Sequence, residues 1–143
     1  MTRERSKILL NRWIELWNGN LLFIDEIVGP EFVGHFPPTT SRPNEVHGSQ
    51  ALEEWIRTTL ALFVDVQLTL EVGPLVDKDV VVGRWIFRGI YQGGISGAAS
   101  TDGTQIAFGG IDILRIADEK IVEYWVSSDG LYLMQQLGVV PSS

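Results

Sequence analysis

Val66-Gln67-Leu68-Thr69-Leu70-Glu71-Val72 is the stretch where the chain changes its period. Val66, Leu68, Leu70 and Val72 alternate with Gln67, Thr69 and Glu71, the mark of a strand buried on one face. From here to Ser128 the pattern stays strand-like. A turn at Asp77-Lys78-Asp79 leads into residues 80–91, where Val81, Trp85, Phe87 and Tyr91 share one side with Gly83 and Gly89, and Arg84 and Arg88 take the other. Residues 105–116 form the next strand, residues 117–120 a tight turn and residues 121–128 the last strand. Three or four long strands joined by hairpins make an antiparallel, strongly bent sheet.

Upstream of Val66 the spacing is helical. Residues 2–17 predict a helix with Thr2 as N-cap and Glu4 in the first turn, where the dipole favours an acid. Leu9, Trp13, Leu16 and Trp17 lie on one face, widened by Leu10, Ile14 and Leu21. Asn18-Gly19-Asn20 stops it, and a short helix over residues 21–28 ends at Gly29-Pro30. Residues 31–36 read as a short edge strand, followed by a loop containing Pro37, Pro38 and Pro43 and flanked by His35 and His47. Ser49 caps a third helix over residues 49–63, with Leu52, Trp55, Ile56, Leu60 and Phe63 as its apolar stripe. Residues 92–104 are rich in Gly, Ser and Ala and read as a loop; residues 129–137 are expected to form a short C-terminal helix. Helices first and strands afterwards predict an α+β domain, not a βαβ one.

The 143 residues fit a single domain over 1–143, long enough to fold without disulfide or metal. An apolar share of 45% and a charged share of 20% are those of a globular chain. With no cysteine, thiol nucleophiles, iron–sulfur clusters and cysteine zinc sites are excluded. A net charge of -7 argues against nucleic acid and anionic membranes as partners. The charged opening Met-Thr-Arg-Glu-Arg-Ser-Lys does not resemble a secretory signal, and no apolar run reaches spanning length. The expectation is a cytoplasmic protein.

Helices laid over the concave face of a bent sheet give a cone with one open mouth. Five Trp, six Phe and three Tyr exceed what a small two-layer core needs, so part of the aromatic surface is expected to line a cavity. Asp112 interrupts the apolar face made by Ile106, Phe108, Leu114 and Ile116; a carboxylate there must be paired, protonated or in a pocket. On the last strand Ile121, Glu123, Trp125 and Ser127 alternate towards Asp129. Desolvation beside the Trp125 indole would raise the pKa of Asp129 and poise it as a general base or acid; the alternative is a helix N-cap. His35 is expected at the pocket mouth as an acid or hydrogen-bond donor, or else as a loop fastener. His35 and His47 match no zinc spacing, so no metal is expected. Gly93-Gly94 and Gly97 precede no helix, and no phosphate loop or nucleophile elbow is present.

The chain resembles the SnoaL-like polyketide cyclases, also called ester cyclases, of the nuclear-transport-factor-2-like (NTF2-like) superfamily. The resemblance rests on Gly110-Ile111-Asp112-Ile113-Leu114-Arg115-Ile116-Ala117-Asp118, then Lys120-Ile121-Val122-Glu123, Trp125, Asp129 and Gln135-Gln136-Leu137-Gly138. His35-Phe36-Pro37-Pro38, His47-Gly48, Leu62-Phe63-Val64-Asp65 and Gly83-Arg84-Trp85 follow in the same order. It implies a cone-shaped α+β fold around an apolar pocket, and a cofactor-free intramolecular aldol closure on a polyketide ester. It places the acid/base aspartate at Asp129, and it matches His35, a second catalytic candidate, and Asp112 to recurrent polar positions of the pocket. Trp17, Trp55, Trp85 and Trp125 from the aromatic surplus join Asp112 as candidate substrate-binding residues. Asp118-Glu119-Lys120 stands where the family has Asp-Gly-Lys, which puts Glu119 in a glycine position. A lyase or isomerase acting on a small apolar carbonyl compound is the first reading. A superfamily isomerase or hydrolase using Asp129 with Asp112 is the second. A non-catalytic small-molecule-binding module that dimerises through outward residues such as Val82 and Ile86 is the third, and a homodimer through that face is expected throughout.

Overall fold

The computed structural model describes residues 2–37, 44–99 and 103–139. The parts of the two predicted loops at residues 38–43 and 100–102 lie outside them. The elements run α1 (Arg3–Trp17), α2 (Ile24–Ile27), β1 (Val28–His35), β2 (Glu45–His47), α3 (Gly48–Leu60), β3 (Phe63–Asp77), β4 (Val80–Tyr91), β5 (Thr104–Ala117), β6 (Lys120–Ser128) and α4 (Gly130–Gln136). The strands form one sheet in the order β2-β1-β6-β5-β4-β3, antiparallel except where β1 runs parallel to β6. This is the α+β architecture expected, helices over a curved sheet. Residues 31–36 do not form the edge: β2 pairs outside β1.

Local chemistry explains the boundaries. Thr2 caps α1 by accepting from the Arg5 amide, satisfying one of the helix's free N–H groups. Asn18 does more than stop α1. Its side-chain amide donates to the Leu68 carbonyl at 2.9 Å and its oxygen accepts the Leu68 amide at 2.7 Å. One asparagine thus stands in for a neighbouring strand beside β3 and ties the end of α1 to the sheet. His47, not Ser49, occupies the N-cap of α3, and it makes no side-chain capping bond.

Helix α1 drives Leu9, Leu10, Trp13 and Leu16, all fully buried, against the sheet, while α3 contributes Leu52 and Ile56. The covered face of the sheet supplies Phe32, Val81, Phe87, Leu114 and Tyr124 to the same core. Burying an aliphatic or aromatic side chain of this kind stabilises the fold by about 1.5–3 kcal/mol each. The β5–β6 hairpin turns on Asp118 and Glu119, with φ of 50° and 62°. Both central residues are left-handed, as a type I′ two-residue turn requires, and neither is glycine.

One irregularity decides which side chains face the pocket. Arg115 pairs with Glu123, but the next residue, Ile116, pairs with Ile121, so Val122 is an extra residue in β6. A bulge of this kind reverses the alternation. Ile121 points into the core; beyond the bulge Tyr124, Val126 and Ser128 point inward, and Glu123, Trp125 and Ser127 point outward.

Candidate active site

Between the helices and the sheet lies an apolar cavity of about 290 Å³, its walls formed by Trp17, Phe36, Trp55, Phe63, Trp85, Phe87, Phe108 and Tyr124. Phe36 stacks on Trp55 with ring centroids 4.2 Å apart, and Trp85 meets Phe108 edge-on at 5.6 Å. Ile95, Leu133 and Met134 also line it, and Gln136 holds α4 in place. The Gln136 side chain accepts from the Ala107 amide at 3.0 Å and donates to the Ala107 carbonyl at 2.8 Å, continuing along β5 the pairing that β6 has left.

Asp112 is the one carboxylate lining this cavity among the described residues, and it is 2% exposed. It comes from the inward face of β5, opposite Gly83 of β4. A side chain at Gly83 would collide with Leu10 of α1 and Leu70 of β3, so the glycine lets α1 come close to the sheet at this point. That approach brings Trp13 within reach. The Trp13 indole N–H donates to Asp112 Oδ2 at 3.1 Å, and the Tyr124 hydroxyl donates to Oδ1 at 2.9 Å. Tyr124 and Trp13 also pack together, with ring centroids 4.6 Å apart.

Burial pushes the Asp112 pKa from 3.8 up to about 6, against the opposing pull of Trp85, Tyr124 and Trp13, which favour the charged form. The Tyr124 hydroxyl is held protonated well above its ordinary range, first by burial and then by the neighbouring carboxylate. The result is a carboxyl group that changes charge near neutrality inside an aromatic cavity. It can accept a proton from a bound molecule and return it.

Of the residues singled out from sequence, Trp17, Trp55, Trp85 and Asp112 meet in this cavity. Asp129, His35 and Trp125 do not. Trp125 and Asp129 share a face, as their spacing implied, but the Val122 bulge makes it the outer one. The Asp129 side chain is 56% exposed, lies 3.9 Å from Arg84 and occupies the N-cap position of α4 without a side-chain capping bond. His35 also faces outward: it bonds Glu123 at 2.7 Å and stacks on Trp125 at 5.4 Å. His35 and then Arg115 draw the Glu123 pKa below its usual value against partial burial. The pocket reading of Asp129, His35 and Trp125 is therefore corrected. Trp13, which the sequence marked as helix core, and Tyr124, which it did not single out, are the groups that hold the carboxylate. Their only signal was the need of a buried Asp112 for donors.

Among the described residues no group of three or more His, Cys, Asp or Glu side chains is placed to hold a metal ion, and no helix is long and apolar enough to cross a membrane.

Comparison with known proteins agrees with this fold. No curated protein matches the chain by sequence. Among solved structures, TsrD from Streptomyces laurentii superposes with a TM-score of 0.81 at 26% identity, covering 98% of this chain and 99% of that one. A polyketide cyclase candidate from Acidithiobacillus ferrooxidans gives 0.80 at 26% identity, covering 96% and 97%. IdmH from Streptomyces antibioticus gives 0.79 at 23% identity, covering 93% and 98%, and shares the fold. The family model described as SnoaL-like polyketide cyclase matches residues 7–137, nearly the whole chain. With its helices closed over a curved sheet and an aromatic cavity between them, the chain belongs to the SnoaL-like polyketide cyclase family.

Proposed function

We propose that this protein is a cofactor-free acid/base enzyme acting on a small apolar carbonyl compound, with Asp112 as the proton-transfer group. The observation that carries the reading is the buried Asp112 carboxyl, poised near neutrality in the aromatic cavity. Family membership favours an intramolecular aldol ring closure on a polyketide ester or similar molecule. The Asp112 carboxylate takes a proton from a carbon next to a carbonyl, and the C–H electron pair moves onto that carbonyl as an enolate. The enolate carbon adds to a second carbonyl of the same molecule, and Asp112 returns its proton to the new alkoxide. Aromatic walls keep out the water that would otherwise reprotonate the enolate.

A cavity of about 290 Å³ lies at the small end of ligand sites and suits one or two fused rings. A two-ring ketone, 2-tetralone, serves as a probe. In D2O the protein should accelerate deuterium uptake at its carbons next to the carbonyl, and Asp112→Asn should abolish the acceleration while leaving the fold intact. Undiminished uptake in Asp112→Asn would defeat the assignment.

The outer face supports a homodimer. Leu75, Val82, Ile113, Trp125 and His35 stand in one cross-strand row over five strands. Arg84 with Glu71 and Asp129 borders it on one side, and Arg115 with Glu123 on the other. An isologous contact needs a face that complements itself, and an apolar row edged by both signs of charge does so although the chain as a whole is acidic. A cytoplasmic location is part of this proposal, and the absence of cysteine fits a reducing compartment.

A further inference from the structure

Several polar groups around the cavity are already committed. Trp13 and Tyr124 donate to Asp112, the Thr59 hydroxyl donates to the Trp55 carbonyl at 2.9 Å, and the indole nitrogens of Trp17 and Trp85 are sealed from solvent and so from any ligand. Ser128 is different. It lines the cavity, is exposed, and its hydroxyl has no hydrogen-bond partner among the described residues. Its backbone is nevertheless held on paired strand. Ser128 stands opposite Gly110, and the next amide, that of Asp129, donates to the Gly109 carbonyl at 2.8 Å. Asp112 faces Val126, the middle of the inward row of β6, so Tyr124 and Ser128 are its two diagonal neighbours. Diagonal neighbours on one face of an antiparallel pair stand about 7 Å apart. Tyr124 is long enough to close that distance and bonds the carboxylate. Ser128 is short and leaves a gap over Val126, which is half-buried and lines the cavity. Two hydrogen bonds of about 2.8 Å, added to the reach of the two side chains, span that gap, so one ligand oxygen there meets Asp112 and Ser128 together.

We infer that the Ser128 hydroxyl binds the oxygen of the substrate's second carbonyl, the one that the enolate carbon attacks. This rests on the acid/base reading of Asp112 and adds to it the group that holds the electrophile. When the ring closes, the enolate's electron pair forms the new C–C bond and the first carbonyl re-forms, while the π pair of the second carbonyl moves onto its oxygen. A hydroxyl donor already bonded to that oxygen favours the step, because the acceptor gains charge as the bond forms. The alkoxide then takes the proton that Asp112 carries, and Ser128 keeps its own proton throughout. No group leaves, and the product is a β-hydroxy ketone. The spacing of Asp112 and Ser128 selects substrates whose second oxygen lies within a few atoms of the acidic carbon. Ser128 is thus a specificity-determining residue as well as a catalytic one.

The test compares two probes of one shape: 2-decalone, with a single oxygen, and 8a-hydroxy-2-decalone, whose ring-junction hydroxyl stands where an aldol closure leaves its oxygen. Wild-type protein should bind the hydroxy ketone about fivefold more tightly, the size of one net hydrogen bond. Ser128→Ala should bind the two equally, with its affinity for 2-decalone and its thermal midpoint unchanged. The open-chain precursor of the same ring system, 2-(3-oxobutyl)cyclohexanone, gives the catalytic readout: its closure should be about a hundredfold slower with Ser128→Ala than with the wild type. Equal binding of both probes by the wild type, a preference retained in Ser128→Ala, or closure no faster in the wild type than in the variant would each overturn the inference. The wild-type binding comparison decides even if the variant folds poorly. The acid/base reading fails separately: it is lost if Asp112→Asn keeps deuterium uptake by 2-tetralone, whatever Ser128 does.

Discussion

Replacing Asp112 by Asn removes a titrating group and little else, so it converts the proposed protonation behaviour into a stability measurement. The amide is nearly isosteric. Its oxygen can accept from Trp13, and its NH2 can donate to Tyr124 if that hydroxyl rotates to accept. In the folded protein the Asp112 pKa is raised from 3.8 to about 6. Between those values the folded state binds a proton that the unfolded state does not. The stability associated with Asp112 is therefore complete below the unfolded pKa and is lost as pH rises through the folded one. A shift of about two units corresponds to roughly 3 kcal/mol over the full range. Of this, about 1.4 kcal/mol falls between pH 5 and pH 8 by the same linkage relation. Denaturant unfolding of wild type and Asp112→Asn at both pH values gives the number directly, because every other titration cancels in the difference. Asp112→Asn should gain about 1.4 kcal/mol on the wild type in going from pH 5 to pH 8. A difference independent of pH would show that Asp112 is already ionised at pH 5, and the desolvation argument would fail.

Four further outcomes follow from other parts of the molecule. Glu119→Gly should stabilise the protein by about 0.5–1 kcal/mol in thermal or denaturant unfolding, since Glu119 sits at a φ of 62° that glycine adopts without steric cost. Asn18→Ala should destabilise by about 1–3 kcal/mol, because it strips both Leu68 backbone groups of their partner at the end of α1. His35→Ala should leave deuterium uptake by 2-tetralone within about twofold of wild type and cost less than about 1 kcal/mol; the Glu123 pKa should rise, and with it the pH below which that carboxylate's contribution to stability disappears. Ile113→Lys, in the middle of the outer apolar row, should give a monomer by light scattering where the wild type gives a dimer; a wild-type monomer would remove the dimer proposal.

The fold was legible because it is written in periodicity. The change at Val66 from helical spacing to alternation located the boundary between helices and sheet, and α1, α3 and the last three strands follow their predicted residues closely. The edge strand was misplaced because the covering strand, β2, is only Glu45–His47, too short to leave a pattern. The cavity was legible in part for the same reason: Trp85, Phe108 and Asp112 lie on strands whose alternation is unbroken between them, so counting by two put them on the inward face. Counting by two failed on β6. A single extra residue, Val122, reverses the faces there, and nothing about a valine in a strand announces a bulge. Trp125 and Asp129 were thereby exchanged for Tyr124, Val126 and Ser128. The role of Trp13 was hidden in another way. On a helix it reads as core, which it is, and its N–H finds Asp112 only because a glycine 29 residues before that aspartate lets the helix sit close. Contacts of that range depend on tertiary packing and leave no local trace.

The most direct test is to follow the Asp112 carboxyl carbon by 13C NMR from pH 3 to pH 9 in the wild-type protein, with Asp112→Asn identifying the signal. A midpoint about two units above that of an exposed aspartate, near pH 6, is the predicted result. A midpoint at or below pH 4 would mean that the group is fully ionised under working conditions, and would contradict its assignment as a carboxyl able both to take and to return a proton.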